Sequence, residues 1–313
     1  MQNLTLYSTS WSGDPAEDRI NFLGGSDTGT ILGLNPYKSA YTLWLEKTGQ
    51  VEPPDLSDKT AVKVGHAFEE GVAKMYEAET GHTVEESLMN YMCKEYPFLR
   101  AHVDRLLVDD TDRGLECKTT SSRNNYDYLN GEVPPYYYSQ CQFYMMLTGR
   151  NHWDLATLKD NTDFFINPID RDDEYIETML NAMIEFWDRV QTRTPPPVDG
   201  SYSTQTSLGQ IFKGGSKKVA DLFTVEDEID NYLEALEQEK YWRERKTEAE
   251  NNIKVVMGDC EKGISTIATV TWKSQSGKLD SKKVKKLLST DDYISCMGPS
   301  IRVLKVKPIK EKE

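Results

Sequence analysis

Residues 99–119, LRAHVDRLLVDDTDRGLECKT, constrain this chain more than any other stretch. Two apolar runs, Leu99–Val108 and Gly114–Thr119, flank an Asp-rich segment that ends on Gly114. Such a segment is a tight turn, so the stretch reads as a β-hairpin. Successive strand residues point to opposite faces, which puts Glu116 and Lys118 on one face and Leu115 and Cys117 on the other. Asp104, expected mid-strand on the first arm, can meet Glu116 across the ladder. Two acids and a lysine on one sheet face suit a metal site with a general base or charge stabiliser beside it. Hard carboxylate oxygens favour magnesium, which takes one or two carboxylates and completes its shell with water and phosphate oxygens. The same residues also allow a plainer reading, in which Asp104–Arg105 and Glu116–Lys118 are exposed ion pairs.

Three other segments carry candidate polar groups. Gly24-Gly25-Ser26-Asp27 opens a helix that Asn35-Pro36 ends, and another helix follows over Ala40–Thr48. A helix start behind glycines exposes free N–H groups to an anion, and Arg19 could add a bidentate clamp. The alternative is an ordinary N-cap with a surface arginine. A helix over Gly65–Thr80, closed by Gly81, places Val64, Phe68, Val72, Met75 and Tyr76 at helical spacing. It carries the adjacent acids Glu69 and Glu70. Glu70 has Lys74 four residues on, the pattern of a solvated pair. Glu69 shares its face with Val72 and Ala73 and is expected to turn inward, where a carboxylate needs a partner or a metal. Pro134-Pro135 start a helix through Leu147 that ends at Gly149, with Gln140 and Gln142 as its polar exceptions.

Composition narrows the class. Hydrophobic residues make up 38% of the 313, with six Trp, 17 Tyr and nine Phe, enough for a folded core. No apolar run approaches the roughly 20 residues of a membrane span, and the N-terminus lacks the order of a signal peptide. Cys93, Cys117, Cys141, Cys260 and Cys296 stand singly, which argues against structural zinc, iron–sulfur clusters and a disulfide framework and for a reducing, cytoplasmic setting. A net charge of −14 argues against bulk coating of nucleic acid. The charge is uneven, however: residues 273–313 hold 11 Lys and Arg against five Asp and Glu.

Further along, His152–Lys159 and Phe164–Ile169 read as strands and Asp172–Thr192 as an amphipathic helix broken by Pro195-Pro196-Pro197. These observations place one domain at residues 1–205. Residues 206–217 are expected as a linker, opening an extension over 206–313. In it, Val225–Met257 forms a charged helix of about 33 residues, spanning about 50 Å. Strands over Ile264–Trp272 and Ile301–Val306 flank a basic helix at Ser281–Leu288.

The blocks RINFLGGSDTGTILGLNPYKS, GHAFEE, HVDRLL, GLECKT and PPYYYSQCQ, in this order, resemble the lambda exonuclease / YqaJ-type viral recombinase family of the PD-(D/E)XK nuclease superfamily. The resemblance covers roughly residues 17–200 and implies a restriction-endonuclease-like α/β core, a mixed central sheet flanked by helices, here with a C-terminal long-helix extension. It implies a magnesium-dependent nuclease, with manganese as a substitute, that degrades one strand of duplex DNA from its 5′ end and leaves 3′ single-stranded tails. It places metal ligands on Asp104, Glu116 and Glu69, the catalytic lysine on Lys118 and a catalytic glutamine on Gln142. It places 5′-phosphate contacts on Arg19 and Ser26. Cys117 departs from the aliphatic residue usual there, on the core-facing side. DNA ends, a single-strand annealing protein, a homotrimer, and a phage or prophage origin in a bacterial host are further implications. Two rivals remain: a sequence-specific or structure-specific endonuclease of the same superfamily, and a non-catalytic DNA-end-binding protein.

Overall fold

Two units follow one another along the chain, Met1–Phe212 and Lys213–Glu313. The computed structural model describes residues 4–10, 19–122, 126–277, 281–298, 304 and 306. The first unit begins with β1 (Leu6–Ser10), α1 (Gly25–Ile31), α2 (Ala40–Lys47) and α3 (Thr60–Thr80). Five strands follow: β2 (Val84–Glu86), β3 (Met89–Cys93), β4 (Arg100–Ala101), β5 (Arg105–Leu107) and β6 (Arg113–Thr120). Then come α4 (Pro135–Thr148), β7 (His152–Lys159), β8 (Asp163–Asp170), α5 (Asp173–Gln191) and α6 (Tyr202–Ile211).

The hairpin forms. β5 and β6 pair antiparallel, Arg105 opposite Leu115 and Leu106 opposite Gly114. They are the second and third strands of a five-stranded mixed sheet in the order β2-β5-β6-β7-β8, in which β6 and β7 run parallel. Helix α4 makes the crossover between those parallel strands, as a parallel connection requires. Asp104 lies one residue before β5 instead of mid-strand, because the pairing with β6 begins only at Arg105.

Two layers cover the sheet. On one face, Leu115, Cys117, Ala156 and Leu158 pack on Val72, Ala73 and Tyr76 of α3. On the other, Trp153, Leu155 and Ile169 join the larger core with Phe143, Met146 and the α5 residues Ile176, Met179, Met183 and Phe186. Glu116 lies opposite Leu155 in the ladder and therefore projects into this second layer, beneath α4. The alternation that separated Glu116 from Leu115 is thus the alternation between two cores.

Local chemistry explains the boundaries. Helices α3 and α4 end at Gly81 and Gly149, with φ of 78° and 76°, a conformation cheap only for glycine. Pro134 and Pro135 open α4, and the Asp172 side chain caps α5 by accepting from the Tyr175 N–H at 2.9 Å. A Cβ at Gly114 would stand 2.4 Å from the Trp153 ring, so only glycine lets β6 pass that indole. The turn after β5 is anchored from below: Arg113 donates to Asp110 at 3.2 Å and to buried Asp154 at 2.8 Å, and the Tyr76 hydroxyl donates to Asp154 at 2.6 Å. A paired buried carboxylate of this kind is costly to break.

Several elements depart from expectation. Helix α3 starts at Thr60, and of its expected apolar face Val72 and Tyr76 are buried while Phe68 and Met75 are exposed. Strands β1, β3 and β4 form a separate three-stranded antiparallel sheet that the apolar pattern did not announce. The stretch 206–217, expected as linker, begins as helix. Thr204 and Ser207 of α6 are buried, and their hydroxyls bond Ser39 at 2.7 Å and Thr42 at 3.1 Å. Beside these hydroxyls only Ile211 at its end packs on the main core, too little apolar pattern to announce the helix.

In the second unit, α7 (Glu226–Met257) is the expected long helix, with intrahelical pairs such as Glu239–Arg243 and Lys246–Glu250 along an exposed surface. An antiparallel pair of strands, Lys262–Ile264 and Thr269–Thr271, follows, then short helices at Ser281–Leu287 and Thr290–Ser295. The strand expected over Ile301–Val306 lies, apart from residues 304 and 306, outside the described residues. No helix among the described residues is long and apolar enough to cross a membrane.

Candidate active site

Asp104, Glu116, Lys118, Glu69, Arg19 and Ser26, which lie on five different segments, line a single cleft of about 690 Å³. Its floor is β6. The Lys118 ammonium pairs with Glu116 Oε1 and sits 5.2 Å from the centre of the Tyr137 ring. Asp104 Oδ2 accepts the Cys117 backbone N–H at 2.9 Å, which fixes this carboxylate to the strand edge between Glu116 and Lys118.

Glu116 is the central group. It is 1% exposed, and its Oε2 is buried with no hydrogen-bond partner among the described residues. Burial, and then the Asp104 charge, push its carboxyl up to about 8, while Lys118 opposes that rise. For Lys118, burial works against the charged form, but Glu116 and Asp104 outweigh it and hold the ammonium well above its ordinary range. An unpartnered buried carboxylate oxygen is expensive in a folded protein. A cation would satisfy it: Asp104 and Glu116 fit the one or two carboxylates that magnesium takes, in a cleft with room for water and phosphate oxygens.

Glu69 and Glu70 diverge as their helix positions require. Glu69 is half-buried on the cleft wall, and Glu70 is more exposed, 3.2 Å from Lys74. Burial, then Asp104, raise the Glu69 carboxyl, and Arg105 opposes them. Arg105 donates to both acids, to Glu69 at 3.0 Å and to Glu70 at 3.1 Å. Glu70 is therefore more than a solvated i,i+4 partner. Among the described residues no three His, Cys, Asp or Glu side chains stand together as a ready-made metal cluster; Glu69 lines the cleft within reach of the Asp104 charge.

Of the two glutamines of α4, Gln140 and not Gln142 lines the cleft. Gln140 Nε2 donates to Glu116 Oε1 at 2.8 Å and to the Tyr144 hydroxyl at 2.7 Å, inside the cleft. Gln142 is fully buried on the far side of α4, donating to the Asp170 carbonyl at 2.7 Å and accepting from the Asp172 N–H at 2.9 Å. Residues two apart on a helix face nearly opposite ways, so only one of the pair can face β6. The signal was present: Gln140 shares its face with Tyr144 at i+4, whereas Gln142 shares its face with Met145 and Met146 in the core.

Arg19 and Ser26 occupy one wall. Both are exposed, Arg19 in a 3-10 turn over Arg19–Asn21 and Ser26 in the first turn of α1. Lys47 ties this wall together, donating at 2.6 Å to the carbonyls of both Arg19 and Phe22 and pairing with Asp27 at 3.1 Å. A Cβ at Gly25 would meet the Tyr144 ring at 2.7 Å, so that glycine lets α1 close against α4 beside Gln140. Arg100, His66 and His102 line the cleft as well and were not singled out by spacing.

A model of the YqaJ-like viral recombinase domain matches residues 16–151. A protein named YqaJ from Bacillus subtilis (strain 168) is 36% identical over 274 residues, which is 86% of this chain and 85% of that one. Two solved structures are similar in part. An alkaline exonuclease (LHK-Exo) from Laribacter hongkongensis has a TM-score of 0.47 at 20% identity over 57% of this chain and 92% of its own. A phage related exonuclease from Haemophilus somnus 129PT has a TM-score of 0.43 at 13% identity over 55% and 96%. With identity of 36% sustained over 86% of its length, the chain belongs to the YqaJ-like viral recombinase family.

Proposed function

We propose that the chain is a magnesium-dependent exonuclease that hydrolyses one strand of linear duplex DNA from the 5′ end. The single observation that carries this reading is the buried, unpartnered Oε2 of Glu116 beside Asp104, Lys118 and Gln140 in one open cleft. Membership of a recombinase family supplies the substrate class.

Asp104 and Glu116 would hold the ion, with manganese as a substitute. Bound there, it supplies Lewis-acid stabilisation of phosphate oxygens and a more acidic water. The remaining work falls to the chain. Lys118, ion-paired to Glu116, is an ammonium donor that can orient the attacking water and offset charge developing on the phosphate. Gln140 fixes the Glu116 carboxylate by donating to Oε1, which leaves Oε2 without a hydrogen-bond partner among the described residues. Arg19 and Ser26, on the opposite wall, suit a terminal phosphate that sets the strand end against the scissile bond. A 3′-tailed product would pass to a single-strand annealing protein, and the family resemblance makes a homotrimer the assembly to test.

Digestion of linear and circular forms of one plasmid tests the reading, with magnesium or EDTA. Linear duplex should disappear only with magnesium, and Asp104→Ala, Glu116→Ala and Lys118→Ala should each lose activity while remaining folded. Cutting of the closed circle would support an endonuclease instead. Binding to ends without any cleavage would leave only a DNA-end-binding protein.

A further inference from the structure

Arg105 follows Asp104 in the chain, yet it does not pair with the Asp104 carboxylate. It is 6% exposed on β5. Its Nη1 donates to Glu69 Oε1 at 3.0 Å and to the Asp104 backbone carbonyl at 2.7 Å, and its Nη2 donates to Glu70 Oε2 at 3.1 Å. One guanidinium thus joins two adjacent acids of α3 to the main chain that carries Asp104.

This arrangement decides which acids are available in the cleft. A carboxylate oxygen that accepts from a guanidinium offers fewer lone pairs to a cation, and the positive charge beside it disfavours a second one. Glu69 lines the cleft but does not cluster with Asp104 and Glu116, and it is the acid that Arg105 holds. The planar fork matters here. Each prong holds one carboxylate, so Glu70 takes half of a guanidinium that would otherwise close on Glu69 alone.

We infer that Arg105 is a positioning residue that withholds Glu69 from the metal site, so that the DNA-free chain binds a divalent cation through Asp104 and Glu116 only, with Glu70 weakening that hold. The inference rests on the metal-dependent reading proposed above. The competing account makes Arg105 a plain ion pair that fastens α3 to the sheet.

Manganese binding to the full-length protein, followed by electron paramagnetic resonance, separates the two. The wild type and Glu69→Gln should bind Mn2+ with the same affinity, since Glu69 is not yet a ligand. Arg105→Gln should bind roughly tenfold tighter, the scale on which groups around a metal's ligands tune affinity. That gain should vanish in the Arg105→Gln/Glu69→Gln double variant, because it is Glu69 that is released. Glu70→Gln should bind as the wild type does, because a guanidinium turned wholly to Glu69 withholds an acid that is not yet a ligand. A loss of affinity in Glu69→Gln alone would overturn the inference, as would a gain that survives in the double variant. If Arg105→Gln fails to fold, Arg105→Lys replaces it: without the fork that holds both acids it should bind Mn2+ more tightly, and that gain should again vanish with Glu69→Gln. A wild type that binds no Mn2+ would remove the metal reading itself, and this inference with it.

Discussion

The Gln140 amide nitrogen lies 2.8 Å from Glu116 Oε1, so helix α4 reaches across the crossover and holds the central acid of the cleft. Two residues along the same helix, Gln142 makes equally good hydrogen bonds to backbone groups of Asp170 and Asp172. The two glutamines differ in surroundings for a geometric reason, and mutation should expose the consequence. Gln140→Ala should cut nuclease activity sharply with little change in thermal stability. Gln142→Ala should do the reverse, leaving a buried carbonyl and N–H without partners at a cost of about 1–3 kcal/mol for each group. Melting temperature and activity measured on both variants check this, and a stable, active Gln142→Ala alongside an unstable Gln140→Ala would invert the assignment.

The buried state of Glu116 makes a prediction about pH. Its carboxyl is raised from 4.5 to about 8. A raised acid favours the folded state fully below its unfolded value and loses that contribution as pH rises through the folded value. Metal-free protein should therefore lose thermal stability between about pH 5 and pH 8, where the unfolded chain has released the proton that folded Glu116 still holds. Magnesium favours the ionised carboxylate, so its stabilising effect should grow over the same window. Glu116→Gln should flatten both dependences. Melting curves from pH 5 to 9, with magnesium and with EDTA, provide the check; a wild type insensitive to pH in EDTA would contradict it.

Much of this site was legible because its signals are local. A period of two sets Glu116 and Lys118 against Leu115 and Cys117 within one strand, and a period of 3.6 sets Glu69 against Glu70 within one helix. What escaped reading is what depends on a second segment. Arg105 has acids as sequence neighbours at 104 and 109, but its partners lie 35 and 36 residues earlier on α3. Choosing Gln140 over Gln142 needed the knowledge that β6 lies under one face of α4. Helix α6 escaped for another reason: hydroxyls make much of its attachment, with Ile211 its one side chain packed on the main core, and hydrophobic patterning is blind to hydroxyls.

The wall opposite the acids leads to a test of end recognition. Arg19 and Ser26 are exposed to the cleft, while Lys47 is occupied by two carbonyls and Asp27. Arg19, exposed beside the Ser26 helix start, is suited to clamp an incoming phosphate, with Arg100 over the Phe22 ring as a second cation nearby. Ends carrying a 5′-phosphate should be degraded faster than 5′-hydroxyl ends, and Arg19→Ala should narrow the difference by the roughly tenfold that a charge-assisted hydrogen bond of about 1.5 kcal/mol represents. Equal rates on both ends in the wild type would take the phosphate contact out of the account.

The last prediction concerns where the chain can be cut. Every residue assigned to the chemistry lies before position 143, and residues 273–313 carry the basic excess of an otherwise acidic chain. Truncation after Tyr202 would remove α6, whose Thr204 and Ser207 hydroxyls bond Ser39 and Thr42 at the start of α2. It would leave those two buried hydroxyls short of partners, and each such group costs about 1–3 kcal/mol. Truncation after Phe212 keeps α6 and should give a stable nuclease with unchanged magnesium dependence. The two truncations should therefore differ in melting temperature far more than their ten-residue difference in length suggests. The 1–212 protein also assigns the basic tail. Weaker duplex binding with a shallower salt dependence would mean that the tail contacts phosphates. Unchanged DNA binding with loss of the annealing protein in a pull-down would mean that it docks a protein. A folded 1–212 protein that binds Mn2+ and cuts nothing would show that residues beyond 212 complete the active site, and would refute the division of labour drawn here.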